Sequence, residues 1–439
     1  MGVPASSYQM AEPTGRTGRR PRVRLPVVAA RSGDHSAIHY FLSGIFQAPS
    51  RAEFRASLDD PFYEPSDRLL LKRGDRIVGH ALITHRVQQF GPLEIPVANL
   101  SWLASAPELQ GQGLGRHLLA AAERQMAEGG AMVGWLRTRI PHFFRRQGWA
   151  LCGRYSYSQA GARSLLSQLL AQGLRRRLHI RPWRRWEESA LVRIYNQNRH
   201  AAYGMLERSE HYWRWLVRRR AYDQIYVAID GPELPDLDQA AARIVAYAFT
   251  RGQHIVELMT ARGHRRAASE MIARACDDAV EQDRQAVVLH APASDPFHNL
   301  FTAAGGLHYH RESDHGEVYM ARLLEPLRLL RRLGGEFHRR AREAGLPRPL
   351  EFGLLVDGKK YQLELTAEET RAVSRTIGRS YLRLNVADFT RLVLGQLDWP
   401  RALADGRVEP STGLARDAGQ VLFPTLPLWR PPLDDLQTV

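Results

Sequence analysis

The chain has 439 residues, a formal net charge of +15 and a hydrophobic fraction of 44%. The length predicts about three domains of roughly 150 residues each, and no apolar run approaches the roughly 20 residues of a membrane span, so we expect no membrane partner. Two cysteines, Cys152 and Cys276, exclude a disulfide framework and a cysteine-based zinc site. We therefore expect a cytoplasmic protein without a bound metal.

The positive charge raises the question of nucleic-acid binding, in which Lys and Arg neutralise phosphates. The arginines are spread along most of the chain, with local clusters at 16–24, 175–185 and 218–220. A solvated basic face explains such a distribution better than a nucleic-acid groove does. We expect no nucleic-acid partner, and part of the charge can attract the phosphates of a coenzyme.

Residues 1–22 are rich in Gly, Ser, Pro and Arg without periodicity, which is typical of a disordered basic arm. The next residues predict, in order, a strand, two helices and a β-hairpin around Arg73-Gly74-Asp75. The predicted elements are a strand over 24–30, helices over 33–46 and 53–58, and strands over 68–72 and 77–86.

A strand, a glycine turn and a helix follow. The apolar run 97–104 predicts the strand, and Pro107 ends it. Apolar residues then recur at helical spacing until Gly129-Gly130 ends the helix. Between them lies Gln110-Gly111-Gln112-Gly113-Leu114-Gly115-Arg116, where glycines let the main chain approach a ligand and the helix start favours a phosphate. This pattern predicts an anion-binding cradle of main-chain amides.

Two common nucleotide motifs do not match the cradle. A P-loop needs Lys followed by Ser or Thr, and Arg116-His117 stands there instead. A dinucleotide fingerprint needs Gly-x-Gly-x-x-Gly, whereas these glycines occupy every second position. The remaining pattern is Pro-x-x-Gln-x-x-Gly-x-Gly, followed by a strand over 131–137 and by Phe144-x-x-x-Gly148-Trp149.

That pattern resembles the GNAT acyl-CoA-dependent N-acyltransferases. The resemblance implies a mixed sheet flanked by helices, with loop amides holding the pyrophosphate of coenzyme A. The order of predicted elements over 23–160 is also the GNAT order. We therefore expect an N-terminal GNAT domain that binds acyl-CoA over 23–160.

The segment 161–321 repeats the same plan with a different loop. Its predicted elements again run strand, two helices, three strands, helix, strand, and it closes on Phe301-x-x-x-Gly305-Gly306. At the glycine turn it has Arg262-Gly263-His264-Arg265-Arg266, whose side chains would block a phosphate from the backbone. We expect a degenerate GNAT domain without a cofactor.

The last segment, 322–439, has a strong Asp357-Gly358 hairpin signal between strands 351–356 and 359–365, then a strand over 381–384 and a helix over 386–394. A sheet with helices on one face is the natural interpretation. The predicted fold class of the whole chain is α/β (α+β), with tandem GNAT folds followed by a small α+β domain.

This three-part arrangement resembles the enhanced intracellular survival acetyltransferases, whose last domain is similar to sterol carrier proteins. The resemblance implies use of acetyl-CoA, acceptors such as aminoglycosides, polyamines and lysine side chains, and assembly as trimers or hexamers. It also implies which residues bind the coenzyme. The cofactor-binding residues implied in this chain are Leu103, Ala104, Ser105, Gly111, Gln112, Gly113, Leu114, Gly115, Arg116, Arg139 and Ile140.

The catalytic positions depart from that family. The resemblance implies an acidic Tyr four residues before Gly148, where this chain has Phe144, and a terminal carboxylate as base, which here belongs to Val439 after a short extension. Other groups able to transfer a proton are His142, Tyr155 and Glu94, the last just ahead of the predicted strand.

We therefore predict an N-acetyltransferase that moves an acetyl or other short acyl group from acyl-CoA to an amine. The acceptor cleft should lie between the first two domains and the terminal segment. Phe144 and the terminal extension favour an alternative, a non-catalytic acyl-CoA-binding scaffold, and the last domain suggests a lipid carrier.

Overall fold

The computed structural model describes residues 25–153, 156–200, 202–231, 243–309 and 317–435. The predicted arm at 1–22 lies outside these ranges. Strands form an eight-stranded, a seven-stranded and a five-stranded sheet, each flanked by helices. No helix within the described ranges is both long and apolar enough to cross a bilayer.

The first part of the chain follows the predicted order of elements. Its hairpin turns at Gly74, which has a φ of 60°. Helix α3 buries residues at three- and four-residue spacing and ends at Gly129, as its periodicity predicts. The elements are β1 (Val27–Ala29), α1 (His35–Phe46), α2 (Arg51–Leu58), β2 (Arg68–Arg73), β3 (Arg76–Phe90), β4 (Leu93–Ser105), α3 (Leu114–Glu128), β5 (Val133–Thr138), α4 (Pro141–Arg145) and β6 (Ala150–Leu151).

The second part repeats this order and adds the short strand β9, which pairs with β3 of the first sheet. The sequence did not predict β9. The elements are β7 (Tyr157–Gly161), α5 (Ala162–Ala171), β8 (His179–Pro182), α6 (Glu188–Arg199), β9 (Tyr203–Leu206), α7 (Glu210–Arg218), β10 (Gln224–Ile229), β11 (Ile244–Arg251), β12 (His254–Thr260), α8 (Arg266–Glu281), β13 (Ala286–His290), α9 (Phe297–Ala303), β14 (Leu307–Tyr309) and β15 (Val318–Leu323).

Strands cross between the two halves: β9 and β15 join the first sheet, and β7, which begins before residue 161, joins the second. The first sheet runs β1-β2-β3-β4-β5-β15-β6, and the second runs β8-β10-β11-β12-β13-β7-β14. Strand β15 inserts between β5 and β6, where Met320 and Ala321 are fully buried. The division of the chain at 160/161 and 321/322 stays a prediction, but sheet membership crosses both boundaries, because strand pairing is set by contacts distant in sequence.

The third part has a five-stranded sheet in the order β18-β17-β16-β19-β20. Its predicted hairpin and the strand over 381–384 are present, and its first helices and two short strands were not predicted. Its apolar residues form one core with those on a face of the first sheet. The elements are α10 (Pro326–Arg332), α11 (Gly334–Glu343), β16 (Leu350–Val356), β17 (Lys359–Leu365), β18 (Thr370–Val373), β19 (Tyr381–Leu384), α12 (Val386–Val393), α13 (Trp399–Ala404), β20 (Val408–Pro410) and α14 (Gly413–Leu422).

Candidate active site

The first sheet opens between its parallel central strands, β4 and β5. They pair from Val97 with Val133 to Leu100 with Leu136. Beyond that point β4 continues along β3 to Ser105, and β5 continues along β15. No described strand pairs with the edge of β4 that faces β5 after Leu100, so backbone groups on that edge face a gap. We call this gap the split.

A bulge in β4 lies at the split. The register between β3 and β4 shifts between His80 and Leu82, and Trp102 has a left-handed φ of 53°. His80 is fully buried, with Nδ1 2.9 Å from the Trp102 carbonyl oxygen and Nε2 3.2 Å from Nη1 of Arg68.

Burial lowers the pKa of His80 to about 3, so the ring is neutral. Because Arg68 can only donate, Nε2 of His80 accepts and Nδ1 donates to the Trp102 carbonyl. His80 thereby fixes the bulged backbone. Sequence reasoning missed this residue, since a lone histidine in a strand carries no motif.

The glycine loop lies at one end of the split. Gly111 and Gly113 have φ values of 80° and 88°, and a Cβ on either would meet no atom within 4 Å. Gly113 is the N-cap of α3, and no described side chain caps that helix end. The left-handed backbone favours glycine, and free first-turn amides with the helix dipole attract an anion. The loop therefore fits a pyrophosphate group.

The other residues predicted to bind the coenzyme surround the same end of the sheet. Leu103 to Ser105 form the carboxyl end of β4, and Arg139 and Ile140 follow β5 directly and are exposed. A Cβ on Gly115 would lie 3.6 Å from the Phe143 ring, so α3 and α4 are adjacent. Leu114 is buried in the core and can offer only its main chain to a ligand.

A cavity of about 220 Å³ lies beside the split. Its walls come from the first part of the chain (α2, β3, β4, β5), the second part (α7, β15) and residues 430–435. This is where the sequence places the acceptor cleft. Its polar lining residues include Glu53, Asp60, Arg68, Arg86, Ser101, Arg137, Arg219, Tyr319, Arg430, Asp434 and Asp435.

The terminal segment reaches the cavity because the second part of the chain binds it. Arg208, with a fully buried side chain, contacts Asp434 at 3.0 Å and Glu257 at 2.6 Å, and Arg219 donates to the Leu433 carbonyl. Asp435, which follows Asp434, accepts hydrogen bonds from Arg430 at 2.5 Å and from the Tyr319 hydroxyl at 3.1 Å. A carboxylate and a phenol therefore meet at the cavity wall.

Arg68 and Arg219 also line the cavity, and both are buried. Arg68 donates to the Tyr63 and Ser57 hydroxyls, and Arg219 stacks on Trp215 at 4.4 Å. No described carboxylate lies within ion-pair distance of either guanidinium, and burial lowers the pKa of both. The cavity therefore contains two buried guanidinium groups that form no ion pair with a described carboxylate.

The residues predicted for proton transfer do not meet at the cavity. His142 is exposed on α4, and Glu94 lies inside β4, not ahead of it, and pairs with Arg199 at 2.7 Å. Asn99 of β4 lines the cavity, and Glu94 lies five residues before it, which is about 17 Å along a strand. Phe144 is 5% exposed and packs on Phe143 and Trp149.

Tyr155 and Val439 lie outside the described residues. The neighbouring Tyr157 belongs to the second sheet, where it stacks on Tyr309. Tyr319 and Asp435 are groups able to transfer a proton that do line the cavity, and neither was predicted. They are 116 positions apart, and no local pattern could have brought them together. The described His, Cys, Asp and Glu side chains form no group of three suited to a metal.

The second sheet has an equivalent split with different contents. Strands β12 and β13 pair only at His254 with Val288 and Ile255 with Leu289. Two residues beyond Ile255 lies Glu257, fully buried and bonded to Arg208 and to the Tyr247 hydroxyl. This split holds the ion pair that binds the terminal segment.

The geometry of the first part agrees with a known domain family. Residues 27–152 match the sequence profile of the acetyltransferase (GNAT) domain. This part of the chain, which contains the glycine loop and the split, is therefore similar to GNAT acetyltransferase domains. No protein with curated annotation matches the chain.

Solved structures share the fold over nearly the whole chain. A GCN5-related N-acetyltransferase from Kribbella flavida is 17% identical with a TM-score of 0.70, covering 93% of this chain and 97% of its own. One from Anabaena variabilis is 15% identical with a TM-score of 0.72, covering 93% and 99%. Eis1 from Mycobacterium abscessus is 17% identical with a TM-score of 0.65, covering 92% and 98%. The structural similarity therefore extends well beyond residues 27–152, the part that matches the sequence profile.

Proposed function

We propose that the protein transfers an acetyl or other short acyl group from acyl-CoA to the amine of a small acceptor. The observation that carries this proposal is the continuity of three features: an open glycine loop, a split sheet and a cavity that holds proton-transfer groups. The GNAT domain match over 27–152 supports the reaction class.

In this proposal the amides around Gly113 hold the coenzyme pyrophosphate, and Leu103 to Ser105, Arg139 and Ile140 line its arm. Acyl-CoA supplies an activated thioester carbonyl. Free main-chain amides on the open edge of β4 stabilise the negative charge that develops on the carbonyl oxygen. His80 holds the bulged backbone that directs these amides.

The acceptor amine must lose a proton before it can attack. The guanidinium groups of Arg68 and Arg219 lower the pKa of an amine bound in the same cavity, because like charges disfavour its ammonium form. The chain thereby favours the neutral nucleophile without a strongly basic side chain.

Tyr319 and Asp435 are the proton-transfer groups in this proposal. The amine nitrogen forms a bond to the carbonyl carbon and its proton passes to Asp435. The carbon–sulfur bond breaks and Tyr319 gives its proton to the leaving thiolate. The 3.1 Å hydrogen bond between the two side chains then returns the proton from Asp435 to Tyr319. The products are an amide and free coenzyme thiol.

A thiol reagent tests the proposal. Purified protein, acetyl-CoA and a panel of small amines should release free thiol in proportion to the amide formed. Tight binding of acetyl-CoA without thiol release from any amine would favour the scaffold alternative. Repeating the assay with longer acyl chains would define the acyl length.

Three further features remain predictions. Assembly as a homotrimer or hexamer is testable by light scattering on purified protein. Lipid binding by the last domain is testable with labelled fatty acids. A cytoplasmic location is testable by fractionation.

A further inference from the structure

We propose that the cavity selects acceptors that carry an anionic group, a carboxylate or a phosphate, in addition to the amine. The requirement for an amine in the acceptor rests on the proposed function. The anionic group rests on the cavity alone, through buried guanidinium groups whose donors are not all taken up by described residues.

Arg219 is the first such group. It is 8% exposed, its Nη2 donates to the Leu433 carbonyl, and its Nε is buried without an acceptor among the described residues. Stacking on Trp215 holds the plane of the guanidinium in place. Because Nε itself is buried, an anion in the cavity would interact with Arg219 through the charge of its guanidinium group.

Arg430 is the second. Its Nε and Nη2 bind Asp435, Nη2 also reaches the Asn99 side chain at 3.3 Å, and its buried Nη1 has no described acceptor. Arg68, which lines the same cavity, adds a buried cation without a described carboxylate partner. The buried cationic charge of these arginines in one cavity matches the chemistry by which arginines bind carboxylates and phosphates.

The carboxylates of the cavity are already engaged. Asp60 pairs with Arg86, Asp434 with Arg208 and Asp435 with Arg430. Glu53 accepts the Ser50 amide at the start of α2. A polycationic acceptor would therefore find three of these four carboxylates paired with arginines and would lie against Arg68 and Arg219.

The volume limits the acceptor as well. Pockets for drug-sized ligands measure about 300–1,000 Å³, whereas this cavity measures about 220 Å³. A small amino acid or an aminoalkyl phosphate suits this volume and charge.

Calorimetry on the full chain saturated with coenzyme A tests the inference without turnover. Two pairs compare an anionic amine with a partner that lacks the anion: 4-aminobutyrate with its near-isosteric amide 4-aminobutyramide, and 2-aminoethyl phosphate with its dephosphorylated form, ethanolamine. We expect the anionic member of at least one pair to bind about tenfold or more tightly than its neutral partner and than putrescine. The pair that responds identifies the carboxylate or the phosphate as the recognised group. Equal binding within both pairs, tighter binding of putrescine, or no binding at all would overturn the inference.

A pair of variants assigns the preference to the cavity. Arg219→Gln should reduce the anionic preference about tenfold, and Arg214→Gln, on the exposed face of the same helix, should preserve it. Equal loss in both variants would indicate a general charge effect and would contradict the inference.

Thiol release with the same four amines separates the two proposals. Transfer to all of them without preference would overturn this inference and support the proposed function. Anion-selective binding without any thiol release would support the inference and overturn the proposed function.

Discussion

The two halves of the chain build the same sheet and use it differently. Each has a parallel central pair of strands that separates after a short ladder, followed by a turn and a long helix. In the first half the turn is an open glycine loop and the split leads to a cavity. In the second half the amides of Ala267 and Ala268 already donate to His264 and Arg265 carbonyls, and the split holds the Arg208–Glu257 pair.

Two sheets with the same order of elements therefore contribute different parts of the site. The second half binds the terminal segment through Arg208 and Arg219 and delivers Asp435 to the cavity of the first half. It also supplies Tyr319 through the exchanged strand. The active site that we propose therefore depends on both halves, although the open glycine loop lies in the first.

The largest effect should come from Arg208→Met. Removing a fully buried guanidinium leaves the carboxylates of Glu257 and Asp434 buried without their cation, which costs about 3–5 kcal/mol of unfolding free energy. Denaturant titration measures this loss, and thiol release should fall because the terminal segment is no longer held. Arg214→Met, which breaks an exposed ion pair with Glu210, is the control and should cost about 0.5 kcal/mol or less. A similar cost for both variants would contradict the role assigned to the second split.

Tyr319→Phe should lower kcat by about a hundredfold, the size expected for loss of a general acid. The affinity for acetyl-CoA should be unchanged, since the phenol lies in the cavity and not at the glycine loop. Tyr157, on the strand exchanged in the opposite direction, provides the control, and Tyr157→Phe should leave kcat at the wild-type value. An unchanged kcat in Tyr319→Phe would remove this residue from the mechanism.

The limits of sequence reasoning follow from the range of the contacts involved. The glycine loop and α3 were predictable because helical periodicity and positive φ are local properties of Gly111 to Met126. The motif around Gly148 indicated the right element, but the side chain at 144 belongs to the core. Tyr319 and Asp435 meet only because β15 crosses into the first sheet, and His80 acts through a bulge that no residue pattern announces.

Gly113→Ala and Gly263→Ala compare the two turns directly. Both glycines have left-handed φ values, 88° and 82°, and at both a Cβ would meet no atom within 4 Å. Each substitution should cost about 1–2 kcal/mol of stability, because the backbone strain is the same. Only Gly113→Ala should weaken acetyl-CoA binding, by about tenfold, since its methyl group enters the space of the pyrophosphate. Calorimetric titration with acetyl-CoA measures both, and equal weakening by the two variants would place the coenzyme elsewhere.

The smallest expected effect is a change in the pH dependence of stability, which compares one buried histidine from each half. Burial lowers the pKa of His80 and of His290 to about 3 each, with Arg68 adding to the effect at His80 and His254 at His290. Below pH 6.5 the unfolded chain therefore binds protons that the folded chain excludes. The stability contributed by each neutral ring is complete above pH 6.5 and is lost as the pH falls toward 3, at up to about 1.4 kcal/mol per pH unit.

His80→Gln and His290→Gln should each reduce the slope of unfolding free energy against pH by up to about 1.4 kcal/mol per pH unit. Urea titrations between pH 6.5 and 4.5 measure this slope. Only His80→Gln should also lower thiol release at pH 7.5, because His80 alone supports the bulge at the open split. If His290→Gln lowered thiol release equally, the second sheet would contribute to the transfer by more than holding the terminal segment.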